Sequence, residues 1–197
     1  MEYRLTKQHL LDTIALWNRF LKRKVHLIAC GGTALTLLDI KSSTKDVDFM
    51  VPDEKEYRYL INMLKDLGYQ PVSGNGWVKE GELYIFDLYP GKRVHTTELL
   101  DSPLAKGMHS TFKKYQYVFI GVLNFYDLII SKLFRGDRVD FEDCLALVKA
   151  RREEIDLKKL RERFIETAKF DISTERYLTH LDSFERMVQK ENNYGTK

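Results

Sequence analysis

Cysteine is scarce in this sequence, charge of one sign is not in excess, and no apolar run is long. Each absence closes off a class of protein. The two cysteines, Cys30 and Cys144, sit inside apolar stretches and form no CxxC pair, so they are expected to be reduced, buried small hydrophobes in a reducing compartment. The five histidines are scattered without zinc-ligand spacing, which argues against a zinc site. No stretch approaches the roughly 20 apolar residues that a membrane-spanning helix needs. The opening Met1-Glu2-Tyr3-Arg4 leads directly into a charged amphipathic segment, not into the apolar core of a signal peptide. A cytoplasmic chain with no membrane partner is expected. The net charge of +3 is too small to mark an anionic partner by itself.

What is present is a core. With 197 residues and 44% hydrophobic content, the chain can bury one domain, or one domain with a smaller appendage. Residues 7–23 carry Leu10, Ile14, Trp17 and Leu21 at helical period. Val25 to Cys30 reads as a buried strand that turns at Gly31-Gly32 into a short helix from Thr33 to Leu38. Asp46 to Val51 reads as a second strand. Asp53 and Glu56 have capping-box spacing before a helix that Gly68 ends. Strand-type sequence follows at 69–72, 77–79 and 83–89, with Asn75-Gly76 favouring a hairpin. Residues 90–116 predict only loop and short strand, and 117–122 a last strand. From Asn124 the period is helical, with helices expected at 140–149, 156–169 and 174–190 and a frayed polar tail from Asn192. The expected fold class is α/β: a small mixed sheet with flanking helices over residues 1–122, then a helical C-terminal region over 123–197.

The chemistry concentrates at Gly31-Gly32-Thr33 and Asp46-Val47-Asp48. Side chains alternate along a strand, so Asp46 and Asp48 share one face. Two clustered carboxylates repel unless a cation neutralises them, and magnesium (or manganese) suits hard oxygen ligands while leaving positions for phosphate oxygens. Glycines at a strand-to-helix turn let a phosphate approach the backbone and the free N–H groups beyond it, and Thr33 adds a hydroxyl. Asp87, alone in the apolar run Leu83-Tyr84-Ile85-Phe86-Asp87-Leu88-Tyr89, is a candidate third acid. Two shared ions would activate an attacking hydroxyl and stabilise a leaving pyrophosphate. Its other reading is a strand-end carboxylate paired with a lysine.

Gly-Gly-Thr-Ala-Leu followed by Thr44-Lys45-Asp46-Val47-Asp48-Phe49 resembles the nucleotidyltransferase superfamily, and among its members the AbiEii-type toxins of toxin–antitoxin systems and the uncharacterised nucleotidyltransferases related to them. The resemblance extends through Asp127 to Leu133 and Arg138 to Asp143, covering roughly residues 25–149. It implies that Asp46, Asp48 and Asp87 are catalytic and metal-binding. It also implies that Gly31, Gly32, Thr33, Lys45, Lys132 and Asp143 serve a nucleoside triphosphate, with Asp140 an alternative to Asp143. The implied activity is magnesium-dependent transfer of a nucleotidyl group to a hydroxyl of RNA, protein or a small molecule, with an antitoxin as a possible partner. The turn departs from the Gly-Ser of much of the superfamily. Lys41-Ser42-Ser43 stands where related chains often carry an arginine, and a lysine does not replace that residue's bidentate grip on phosphate.

Plainer readings stand beside these. Lys132 also fits the polar face of a helix, and Asp140 and Asp143 fit charges favoured at a helix N-terminus. The basic run from Lys149 to Arg163 is interspersed with acids and reads as a salt-bridged solvent face more readily than as an RNA track. A catalytically silent binding module or antitoxin subunit with the same fold is the alternative to an enzyme.

Overall fold

The computed structural model describes residues 4–169 and 171–194. The N-terminal residues 1–3 and the tail residues 195–197, on which the expectations of a leaderless start and a frayed end partly rest, lie outside the described residues. The chain forms two compact units. One takes in Met1–Val94 and Asp101–Asn124, the other His95–Leu100 and Phe125–Lys197.

The first unit begins with β1 (Leu5–Thr6), α1 (Lys7–Phe20), β2 (Val25–Ala29), α2 (Gly31–Leu37), β3 (Ser43–Thr44), β4 (Val47–Val51) and α3 (Glu54–Asp66). It continues with β5 (Tyr69–Pro71), β6 (Gly76–Lys79), β7 (Phe86–Pro90) and β8 (Arg93–Val94). Strand β9 (Thr97–Glu98) lies in the second unit; β10 (His109–Lys114) and β11 (Val118–Leu123) return to the first. The main sheet has seven strands in the order β10-β11-β2-β4-β7-β6-β5. It is mixed: β11 with β2 and β4 with β7 are parallel, and the other neighbours antiparallel.

Burial explains the elements. Helix α1 turns Leu10, Ile14 and Trp17 inward, and the Trp17 ring lies 4.5 Å from that of Phe86 and 5.8 Å from that of Tyr69. Every residue of β4 is buried, so this strand is covered on both faces, Asp48 included. The Asp53 side chain caps α3 by accepting from the N–H groups of Lys55 and Glu56. Glu56 has a partner that its capping-box spacing does not foretell, since its carboxylate accepts from the backbone of His26 at 2.7 Å.

Two expectations need correcting. Within the stretch expected as loop and short strand, residues 109–114 form a strand of six, longer than expected, because backbone pairing with β11 makes an exposed edge strand out of a polar sequence with no apolar alternation. In the hairpin between β5 and β6 the left-handed residue is Gly74, at φ 69°, while Gly76 joins the ladder.

The second unit contains α4 (Phe125–Arg135), α5 (Arg138–Ala150), α6 (Leu157–Ala168) and α7 (Thr174–Tyr194). Phe134 of α4 stacks on Tyr177 of α7 at 4.0 Å and meets Phe164 of α6 edge-on at 5.1 Å. The basic run is tied to acids, several on other helices: Arg161 to Asp182, Arg163 to Asp127, Arg151 to Glu154. Cys30 and Cys144 are both buried, and neither is joined in a disulfide. Among the described residues no helix is long and apolar enough to cross a membrane.

Candidate functional site

The glycine turn and the acidic strand are built against each other. β2 ends at Ala29, and Gly31 opens α2 with φ of +55°, a conformation L-residues rarely take. A Cβ on Gly31 would overlap the carboxylate of Asp48, and one on Gly32 would come within 2.8 Å of the Thr44 hydroxyl. The first glycine is therefore needed by the acid itself, a requirement separate from any ligand. Thr33 laces the two elements. Its hydroxyl accepts from the Asp48 N–H at 2.9 Å and lies 3.4 Å from the Asp46 carbonyl, to which it donates. Thr44, to which the sequence assigned no role, donates to the same carbonyl at 2.8 Å. Thr33 was expected as a phosphate donor, but its single proton is directed into the fold.

Strand pairing places the acids. β4 and β7 run parallel with Asp48 opposite Asp87, and Gly76 of β6 stands opposite Asp87 on its other side. Neighbouring strands are about 4.8 Å apart, so Asp48 and Asp87 leave the same face of adjacent strands as immediate neighbours. Asp48 is only 7% exposed; Asp87 is half-buried; Asp46, just before β4, is exposed. Burial raises the pKa of Asp87 above the ordinary carboxylate value, and the charge of Asp46 raises it further. Asp46 is thus close enough for its field to act on Asp87, which makes the ionised cluster costly without a counter-charge.

Among the described residues no group of three or more His, Cys, Asp or Glu side chains is arranged to hold a metal ion. Three acids sharing ions were expected; two stand in register, and the third acts through its charge. The donor chemistry nonetheless fits magnesium, which commonly takes one or two carboxylates and fills its remaining positions with waters and phosphate oxygens. Lys45 is exposed in the loop between β3 and β4.

Lys132 and Asp143 belong to the second unit, with each other. The Lys132 ammonium, 3% exposed, lies 2.7 Å from Asp143 and 3.3 Å from Asp140, and Arg135 donates to Asp140 from Nε at 2.8 Å. Burial works against the charge of Lys132, but the two aspartates outweigh it and raise its pKa. Burial likewise disfavours the Asp140 carboxylate, and its bonds to Arg135 and Lys132 bring the value below the ordinary one. The plainer expectation fails for Lys132, which is not on a solvated face, whereas Asp140 does stand in the first turn of α5, buried as Asp143 is. Arg135, which sequence reasoning passed over, also approaches His95 Nε2 at 3.1 Å.

No family model matches the chain, and no curated protein does. Solved structures do. The lincosamide antibiotic adenylyltransferase LnuA, in its lincomycin-bound form, aligns over 74% of this chain and 98% of its own at 18% identity and TM-score 0.50. The protein ANT(2")-Ia, in complex with adenylyl-2"-tobramycin, aligns over 81% of this chain and 95% of its own at 12% identity and TM-score 0.55. At such identities the likeness is one of fold. The architecture is nucleotidyltransferase-like, a mixed α/β sheet with flanking helices followed by a helical C-terminal region.

Proposed function

We propose that the chain transfers a nucleotidyl group from a nucleoside triphosphate to a hydroxyl acceptor, with magnesium or manganese as the cofactor. The observation that carries this is the register of Asp48 against Asp87 beside a glycine turn that leaves room for the acid. In this reading Asp48 and Asp46 would hold the divalent cation, with Asp87 beside them in register with Asp48. When bound, the cation neutralises the clustered carboxylates and the charge developing on the pyrophosphate. Asp87 orients the acceptor hydroxyl and takes its proton as the oxygen attacks the α-phosphorus. An O–P bond forms, the bond from that phosphorus to the pyrophosphate oxygen breaks, and pyrophosphate leaves. Gly31 and Gly32 let the backbone approach the phosphates, Lys45 supplies a cation to them, and Thr33 positions the acids. Lys132 and Asp143 are assigned to holding the helical unit together.

The two solved relatives carry lincomycin and an adenylylated tobramycin, which supports including small hydroxylated molecules among the acceptors. The resemblance of the Gly-Gly-Thr and Asp-Val-Asp stretches to AbiEii-type toxins supports RNA or protein as acceptor and an antitoxin as partner. The test incubates the protein and magnesium with each radiolabelled triphosphate and, in turn, total RNA, total protein, lincomycin and tobramycin. Transfer that disappears in Asp46→Ala and Asp48→Ala is expected. Transfer unchanged by both removes these residues from the mechanism; binding of triphosphate without transfer to any acceptor favours a silent module.

A further inference from the structure

We propose that a basic pocket at the far end of the first unit's sheet binds the phosphodiester backbone of a nucleic acid. The pocket, of about 460 Å³, is lined by Arg23 and Lys24 at the entry to β2 and by Lys55, Arg58, Tyr59 and Asn62 of α3. Lys55, Arg58, Tyr59 and Asn62 recur at three- and four-residue spacing and so share one helix face. All four cations are exposed, and none is held by a carboxylate among the described residues. The acid in the wall, Glu56, is committed elsewhere: it accepts from the His26 N–H and lies 3.0 Å from that ring's Nδ1. Arg23 is propped over the Tyr59 ring at 5.7 Å, and the Tyr59 hydroxyl accepts from the Lys22 N–H at 2.7 Å, so this aromatic fixes the pocket floor.

Four unneutralised cations in one concavity call for a ligand with several negative charges. A single phosphate would use one or two of them; a polymer backbone presents charges in series and engages all four. A lipid surface is flat and adds apolar insertion to its charge, which a concave polar pocket does not match. Lys24 precedes β2 and Gly31 follows it, so the pocket and the acidic pair stand at opposite ends of one strand, roughly 20 Å apart. A strand stacked at roughly 3.4 Å per nucleotide, the helical rise, spans that distance in about six nucleotides. The pocket would therefore anchor a nucleic-acid acceptor whose reacting end lies at Asp48. That assignment rests on the transfer reading, whereas the binding itself does not.

The test is fluorescence anisotropy of a fluorescein-labelled 12-nucleotide single-stranded RNA in EDTA, from 50 to 200 mM KCl. The variant Arg23→Ala/Lys24→Ala/Lys55→Ala/Arg58→Ala is expected to bind at least tenfold more weakly. Its log–log salt slope should be shallower by about 2.8, four contacts at about 0.7 each. An unlabelled DNA strand of equal length should compete comparably, because phosphates are what is read. The control Lys158→Ala/Lys159→Ala should bind like the parent. Absence of binding by the parent, an unchanged slope in the fourfold variant, or an equal loss in the lysine control would each overturn the proposal. So would loss of phosphatidylserine-vesicle binding in the fourfold variant while its RNA binding persists. Because binding is read without metal, a chain that binds RNA normally but transfers label to nothing fails the transfer reading and leaves the pocket standing.

Discussion

Gly31 shows how much one missing side chain decides. Its φ of +55° costs an L-residue about 1–2 kcal/mol, and any Cβ there displaces the Asp48 carboxylate. Gly31→Ala should lower stability by at least that amount in urea unfolding and abolish label transfer. Gly32→Ala, which meets only the rotatable Thr44 hydroxyl, should be markedly milder; equal effects would mean that the left-handed turn is not what matters. Asp87 has the opposite balance, useful to function and costly to the fold. Its pKa is raised, so its stabilising protonated form is present below the unfolded value and is lost as pH rises through the folded one. At neutral pH the ionised acid therefore strains the metal-free protein. Asp87→Asn should melt above the parent in EDTA while transfer falls about 10²–10⁴-fold, the usual contribution of a proton acceptor. A melting point below the parent's would show that the carboxylate is held by partners that outweigh its burial.

At the scale of elements, the cluster on α4 and α5 turns a supposed ligand contact into structure. Lys132 is shared by two buried aspartates, so Lys132→Met should destabilise the protein by about 3–5 kcal/mol, and Lys132→Met/Asp143→Leu should recover much of that. A loss below about 1 kcal/mol in urea unfolding would return Lys132 to the candidates for phosphate binding. His95, against Arg135, gives this unit a pH signature. Burial first, and then the Arg135 charge, lower its pKa from 6.5 to about 4. The unfolded chain therefore takes up a proton that the folded chain refuses, and stability present above about pH 6.5 is lost as pH falls toward 4. His95→Gln should flatten that part of the stability profile, and proton NMR should place the native midpoint near 4. Helices with a solvated face, such as α1 and α3, were legible in the sequence because apolar period and the Asp53 cap both point to them. Lys132 was not, since a lysine on a helix reads as solvent-facing until a partner 11 residues away on another helix is seen to bury it. Strand β10 was illegible because pairing, not patterning, makes it.

For the whole chain, the sequence carried the site as a list of acids without their arrangement. Alternation predicted Asp46 and Asp48 on one face of a strand, but β4 begins at Val47 and leaves Asp46 just before it; only the parallel register of β4 with β7 sets Asp87 against Asp48, and no local pattern encodes a register between residues 39 apart. The basic pocket was hidden for the same reason, its two halves lying on either side of α2 and β4 in the chain. What the acids do can be read through global stability, because a ligand that binds only the folded state stabilises it by mass action. Magnesium with a triphosphate at a hundred times its dissociation constant should add about 2.7 kcal/mol, or roughly 5–10 °C in melting temperature for a chain of this size. Magnesium alone should give a smaller rise, since the acidic pair supplies only part of the ion's coordination. Asp48→Asn should erase the metal-dependent share of both. Equal shifts in parent and variant would place triphosphate binding elsewhere on the molecule, because Asp48 is the one acid that the glycine turn, the Thr33 hydroxyl and the register with Asp87 all act to position.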